Sequence, residues 1–135
     1  MSDEDLMAAI ALAAGVSSDE CAFNASSGSQ GVEPGWLDKR IVLQDEVWRD
    51  INLRVHRLED MSVEYRENVV TFLEEYEETW AAMALLFVTG DVLLGHISHA
   101  EGVRQHELVA LLTPGWMRRT PLVSRMLELN RQARP

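Results

Sequence analysis

The sequence predicts a mainly α-helical domain of about four to five helices, because apolar residues recur at helical spacing and hydroxyl residues repeatedly mark helix starts. One short alternating stretch near residues 51–55 adds a strand or hairpin to an otherwise helical fold. At 135 residues the chain is long enough for one apolar core without metal or disulfide staples. The expected organisation is a helical arm over 1–15, a flexible linker over 16–35 and a single helical domain over 36–135.

The arm rests on Leu6, Ile10 and Ala13 at helical spacing, with Ser2 or Asp3 to cap it and Gly15 to stop it. Such an arm docks on its own domain or on a sister subunit. The linker "VSSDECAFNASSGSQGVEPG" has few large apolar groups to repay the entropy of ordering it. From Trp36 to Asp60 two periods overlap. Leu43, Val47, Ile51, Val55 and Leu58 keep helical spacing, while Ile51, Leu53 and Val55 alternate with Asn52 and Arg54. A helix to about residue 50 followed by a strand at 51–55 accommodates both.

Residues 62–89 carry the clearest signal. At 100° per residue Val69, Phe72, Leu73, Tyr76, Trp80, Met83 and Phe87 share one face, with Glu64, Glu67, Glu74 and Glu78 on the other. Ser62 or Asp60 can cap this helix, and Gly90 is the expected left-handed stop. The run "AAMALLFV" is apolar all round, so its turns are expected in the core or in an oligomer interface, with Met83, Leu85, Leu86 and Phe87 as the self-association residues. Ser98 to Glu101 has the form of a capping box, opening a helix to about Leu112 that points Val103, Leu108, Leu111 and Leu112 inward. Thr113–Pro114 and Thr120–Pro121 repeat one start signal, and the last helix, 121–132, buries Leu122, Met126 and Leu129.

Charge and cysteine usage narrow the function classes. The net charge of −10 divides into −6 over 1–35, −6 over 36–80 and +2 over 81–135. That distribution argues against direct nucleic-acid binding, which needs a concentrated basic footprint, and favours a basic protein partner or self-association. No segment approaches the roughly 18–20 apolar residues of a membrane span. The opening "MSDEDLMAAIALAAG" has acids where an export signal needs positive charge, and the single Cys21 suits a reducing cytoplasm.

Three clusters invite a chemical reading. "HISHAEGVRQH" concentrates histidine, yet on a helix begun by Ser98 the rings of His99 and His106 are about 10 Å apart along the axis, too far for one metal. A site of His96, His99 and Glu101 is the remaining metal candidate, and with it a metal-dependent enzyme. The glutamates at 74–78 lie on the expected solvent side, where nothing separates their pKa values for catalysis. No nucleophile has an identifiable base, and no phosphate or dinucleotide loop occurs, so no catalytic residues and no cofactor are assigned. Trp116, beside Met117, Arg118 and Arg119, has the composition of an interface anchor, although a ring covering the core is the plainer alternative.

The stretch "LEDMSVEYRENVVTFLEE", residues 58–75, resembles a motif of many small bacteriophage and prophage proteins of uncharacterised function. In those a Trp and a short strand precede Met-Ser/Asp-x-x-aromatic or His-Leu-x-Asn-x-x-x-Leu. Here Trp48, Met61, Ser62, Tyr65, Asn68, Phe72 and Leu73 match, and Arg66 stands where the motif has Leu. The tail "TPLVSRMLELNRQ" is similar to the Pro-containing last helix of such proteins. The resemblance implies a phage or prophage origin, and no activity.

The expectation is therefore a small acidic protein that works by protein–protein interaction, modulating or inhibiting a host protein or assisting assembly. Its interaction surface would comprise Glu64, Glu67, Glu74, Glu78, Trp116, Arg118 and Arg119. A second expectation is an acidic decoy of nucleic acid that occupies a basic groove, whose affinity would collapse with salt.

Overall fold

Ser62 opens the longest helix as the capping signal requires, its Oγ accepting a hydrogen bond from the Tyr65 amide at 3.1 Å. In the computed structural model, which describes residues 2–15 and 38–134, this helix is the axis of the fold. The element order is α1 (Asp3–Ala13), β1 (Val47–Arg49), β2 (Val55–Arg57), α2 (Val63–Leu93), α3 (His99–Val109) and α4 (Pro121–Ala133). Single turns of 3-10 helix at Lys39–Leu43, Leu58–Asp60 and Trp116–Arg119 connect them.

Helix α2 has 31 residues, about 46 Å at 1.5 Å per residue. It runs past Gly90, the expected stop, and ends where Gly95 takes φ +75° and donates to the Val92 carbonyl at 3.1 Å. Gly90 is an ordinary helical residue, and the left-handed position that needs a glycine lies five residues later. Helix α3 then folds back against the end of α2 so closely that a Cβ on Gly102 would lie 2.3 Å from a Val92 methyl. Ser98 caps α3 by accepting from the Glu101 amide at 3.0 Å, and Thr120 caps α4 by accepting from Val123 at 3.3 Å. Leu108 and Leu112 face inward as expected, whereas Val103 points to solvent.

Helix α1 docks on the domain. Leu6, Ala9, Ile10 and Ala13 are buried against α3, α2 and the Lys39–Leu43 turn, and Gly15 at φ +75° ends the helix. The linker expected over 16–35 lies outside the described residues. The core contains Ile10, Ile41, Leu58, Leu73, Met117, Leu122 and Met126, all fully buried, and joins α1, α2 and α4 into one cluster. Each such side chain contributes about 1.5–3 kcal/mol on transfer from water.

The segment read as a helix to residue 50 is instead the first strand of a hairpin. Its antiparallel register pairs Val47 with Arg57, Trp48 with His56 and Arg49 with Val55, so residues 51–54 form the turn. Side chains fix this choice. Gln44 donates to the carbonyls of Ile41 and Val47 at 2.7 and 2.8 Å and accepts from the amides of Glu46 and Val47, which occupies the groups a continuing helix would use. Asp50 Oδ1 accepts from Asn52 and Arg54 at 2.9 and 3.0 Å and closes the turn. Leu53 is thereby forced to φ 65°.

Candidate interaction surface

The N-terminal half of α2 carries the acidic cluster, and the structure divides it by role. Glu77 turns inward to the Trp116–Arg119 turn. Its Oε1 accepts from the Met117 amide at 2.6 Å, its Oε2 from the Gly115 amide at 3.1 Å, and its backbone carbonyl from Trp116 Nε1 at 3.3 Å. One carboxylate thus satisfies the free amides at the start of that turn, where negative charge is favoured. Trp116 is 3% exposed as a result, so of the two readings of its sequence the ring that covers the core holds, and it is not part of an exposed interaction surface. Arg118 and Arg119 stay at the surface.

Glu74 pairs with Arg118 at 3.2 Å, and Glu67 pairs with Arg134 from the end of α4. Among the described residues Glu64, Glu75 and Glu78 have no ion-pair partner. Three of the sequence-predicted residues, Glu67, Glu74 and Arg118, come together with Glu75 around a shallow cleft of about 520 Å³ between α2 and α4. Val70, Thr71 and Leu127 complete its lining. The arrangement offers an apolar floor of two aliphatic side chains under a rim with three carboxylates and one guanidinium. Glu64 and Glu78 extend the same helix face beyond the cleft.

The apolar face of α2 is also divided. Val69, Leu73 and Trp80 enter the core, while Phe72, Tyr76, Met83 and Phe87 lie beside it in solvent. Phe72 and Tyr76 hold each other with ring centroids 5.1 Å apart. Lys39 sits over Trp80 at 5.5 Å and donates to Met83 Sδ at 3.9 Å, and burial there pushes its ammonium pKa down. Within "AAMALLFV" only Ala84 and Val88 are buried; Met83, Leu85, Leu86 and Phe87 are exposed. A wider cleft of about 940 Å³, lined by Leu12, Ala84, Phe87 and Leu108 with Asp91, Glu101 and Arg104 among its polar residues, opens between α1, α2 and α3.

The histidine cluster does not assemble. His96 faces Asp91 at 3.3 Å, and His106 spans from the Gly102 carbonyl at 2.9 Å to Thr89 Oγ1 at 3.1 Å. Glu101 accepts from Gln105 and pairs with Arg104, both on its own helix. The trio of His96, His99 and Glu101 is therefore not brought around one point, and among the described residues no group of three or more His, Cys, Asp or Glu is placed to hold a metal ion.

Two polar devices escaped the sequence reading. Arg66 is buried and donates Nε to Asn130 Oδ1 at 2.6 Å and Nη1 to the carbonyls of Leu58 and Met61 at 2.8 Å each. His56 Nε2 lies 2.8 Å from Asp50 Oδ2 and its ring meets Tyr65 edge to face at 5.4 Å. The hydrogen bond with His56 holds the Asp50 carboxyl below its ordinary range, and burial raises the Tyr65 phenol. An arginine beside the apolar positions of the helix, near Val69 and Leu73, was the available signal for the first. Nothing local marked the second.

Among the described residues no helix is long and apolar enough to cross a membrane. No family model, curated protein or solved structure matches the chain.

Proposed function

We propose that this is a small phage-type protein that acts by binding another protein, modulating a host factor or assisting assembly, through the acidic cleft between α2 and α4. The observation that carries the reading is the pairing of an apolar floor, Val70 and Leu127, with the carboxylates of Glu67, Glu74 and Glu75 on its rim. A basic segment with one apolar anchor suits this chemistry: the anchor covers the floor, and its Lys or Arg compete with Arg118 and Arg134 for Glu74 and Glu67. Glu64, Glu75 and Glu78 are available without breaking an ion pair among the described residues.

The decoy of nucleic acid is the weaker reading. A mimic of a phosphate backbone needs an uninterrupted row of free charge, and here Glu67 and Glu74 are neutralised by arginines and Glu77 is held by backbone amides. The test is affinity capture from bacterial lysate with the wild-type chain and with Glu74→Lys/Glu75→Lys, at low and moderate salt. A protein retained by the wild type and lost from the charge-reversed variant supports the reading. The same proteins retained by both would refute it. A retained protein lost steeply with salt whatever its apolar anchor would favour the decoy.

A further inference from the structure

The C-terminal third of α2 presents a surface of a different kind from the acidic cleft. Leu86, Phe87, Leu93 and Leu94 are 68, 59, 80 and 72% exposed. With Met83 and Gly90 they fall within about 120° of the helix circumference at 100° per residue. Leu85, the other residue expected in self-association, points about 160° away from Phe87 and belongs to another face. The patch is nearly free of charge: between Thr79 and Gly95 the only ionisable side chain is Asp91, which is engaged with His96.

We infer that this patch is the site at which a second copy of the chain docks, with the two α2 helices crossing antiparallel at Gly90. The first argument is shape. A Cβ built on Gly90 meets nothing within 4 Å, so the residue is a hole in the surface, bounded one turn away on either side by Leu86, Phe87, Leu93 and Leu94. Knobs and a hole on one helix face, spaced by one turn, are self-complementary under a two-fold axis: the partner's knobs enter the hole and ours enter its twin.

Charge is the second argument. A basic partner would prefer the other half of α2. A second copy carries the same net charge of −10, and at the end of α2 two such chains meet with no glutamate of α2 near the crossing and one acid per chain, Asp91, whose carboxylate faces His96 at 3.3 Å. The nearest glutamate of α2, Glu78, lies twelve residues from Gly90, about 18 Å along the axis and beyond the roughly 8 Å screening length of physiological salt. In the antiparallel crossing the two acidic halves point away from each other.

Area is the third. The large side chains of the patch leave on the order of 500 Å² of apolar surface in water, which matches the largest patch of a typical monomer, about 300–600 Å². Pairing it with its twin removes on the order of 1,000 Å², the lower bound for a specific interface. The dimer is accordingly expected in the micromolar range, not the nanomolar.

The experiment is light scattering and sedimentation from about 5 to 500 µM, on a Cys21→Ser background and on two variants of it. The expected result is a concentration-dependent dimer that is insensitive to salt. Leu86→Glu should shift it to monomer by at least tenfold in concentration while helix content by circular dichroism is kept. Gly90→Cys should form a disulfide with its own twin, the position nearest the axis. A monomer at 500 µM overturns the proposal, as does a dimer that Leu86→Glu leaves intact. Hydroxyl-radical labelling of Met83 and Phe87 separates the ways of being wrong. A monomer with both protected assigns the cover to residues 16–37 of the same chain, and a monomer with both labelled leaves the patch to a different protein. Because Glu74→Lys/Glu75→Lys does not touch the patch, failure of the dimer and failure of the cleft are read independently.

Discussion

Replacing Arg66 by Leu tests how the fold tolerates a buried cation with no ion-pair partner among the described residues. The guanidinium donates to Asn130 Oδ1 and to the carbonyls of Leu58 and Met61, and all three acceptors are neutral. It ties α4 and the turn before α2 to the first turns of α2. Leu recovers some apolar contact but leaves Asn130 Oδ1 and the Met61 carbonyl without a donor in a place where water has little room, while the Leu58 carbonyl keeps the Met61 amide at 3.3 Å. A hydrogen bond to a charged donor contributes about 1.5–3 kcal/mol, and an orphaned buried acceptor costs about 1–3 kcal/mol. Two orphaned acceptors cost about 2–6 kcal/mol together; offset by roughly 1 kcal/mol of regained apolar burial, Arg66→Leu should destabilise by about 1–5 kcal/mol, a large share of the 5–15 kcal/mol typical of a domain. Arg66→Ala adds a cavity and should cost more than Arg66→Leu.

The assay is urea unfolding followed by far-ultraviolet circular dichroism, with the slope on denaturant checked for constancy so that the midpoint reports stability. Asn130→Leu alone should cost about 1.5–3 kcal/mol, because it leaves Nε of a buried cation unpaired. The double variant Arg66→Leu/Asn130→Leu should cost at least 1 kcal/mol less than the two single costs added, since Arg66 Nε and Asn130 Oδ1, each orphaned by one single substitution, are removed together, while the Met61 carbonyl stays without a donor whenever Arg66 is replaced. Arg66→Leu within 0.5 kcal/mol of the wild type, or strictly additive costs, would refute the view that these groups act as one unit.

Glu77→Ala frees the amides of Gly115 and Met117 and should cost about 1.5–3 kcal/mol in the same assay; the Trp116 indole N–H resonance should broaden or shift as the 3-10 turn loosens. Leu53→Gly relieves a left-handed residue at φ 65° and should stabilise by about 0.5–1 kcal/mol net of the entropy Gly adds to the unfolded chain, visible as a higher urea midpoint. The Asp50 carboxyl, held down chiefly by His56, contributes stability that is complete above the unfolded aspartate value of about 3.9 and is lost as pH falls through its lower folded value. Carboxyl carbon shifts should therefore place Asp50 below the ordinary aspartate value, and His56→Ala should return it upward. An Asp50 titration that His56→Ala does not move would sink that assignment.

How much was legible follows from the range of each interaction. The caps at Ser62, Ser98 and Thr120 act within three residues, so sequence alone placed the starts of α2, α3 and α4. The hairpin is half visible in sequence: the alternation at 51–55 predicts a strand where the turn lies, because Gln44 and Asp50 decide the register through hydrogen bonds that periodicity does not record. Trp116 was uncertain for another reason. Its burial depends on Glu77, thirty-nine residues away, which no local pattern connects to it. Gly90 looked like a stop because glycine usually is one near a helix end; α2 continues because Gly95 supplies the left-handed position where α3 has to turn back.

The acidic run from Glu74 to Glu78 shows why composition alone could not fix the site. Read as a row, these side chains are one solvated face. In the fold they separate within about one helix turn into different tasks: Glu77 holds a backbone turn, Glu74 is matched by Arg118, and Glu75 and Glu78 are left to solvent. The charge that a partner can use is thus smaller than the charge counted in sequence, and it is concentrated where the helix passes α4. Reversing Glu77 should therefore damage stability and binding together, whereas reversing Glu75 should change binding at constant stability. Comparing Glu75→Lys with Glu77→Lys, each by urea midpoint and by capture of the same protein, tests that partition. If Glu75→Lys unfolds the chain, or Glu77→Lys leaves stability untouched, the division of the cluster into internal and external carboxylates is wrong.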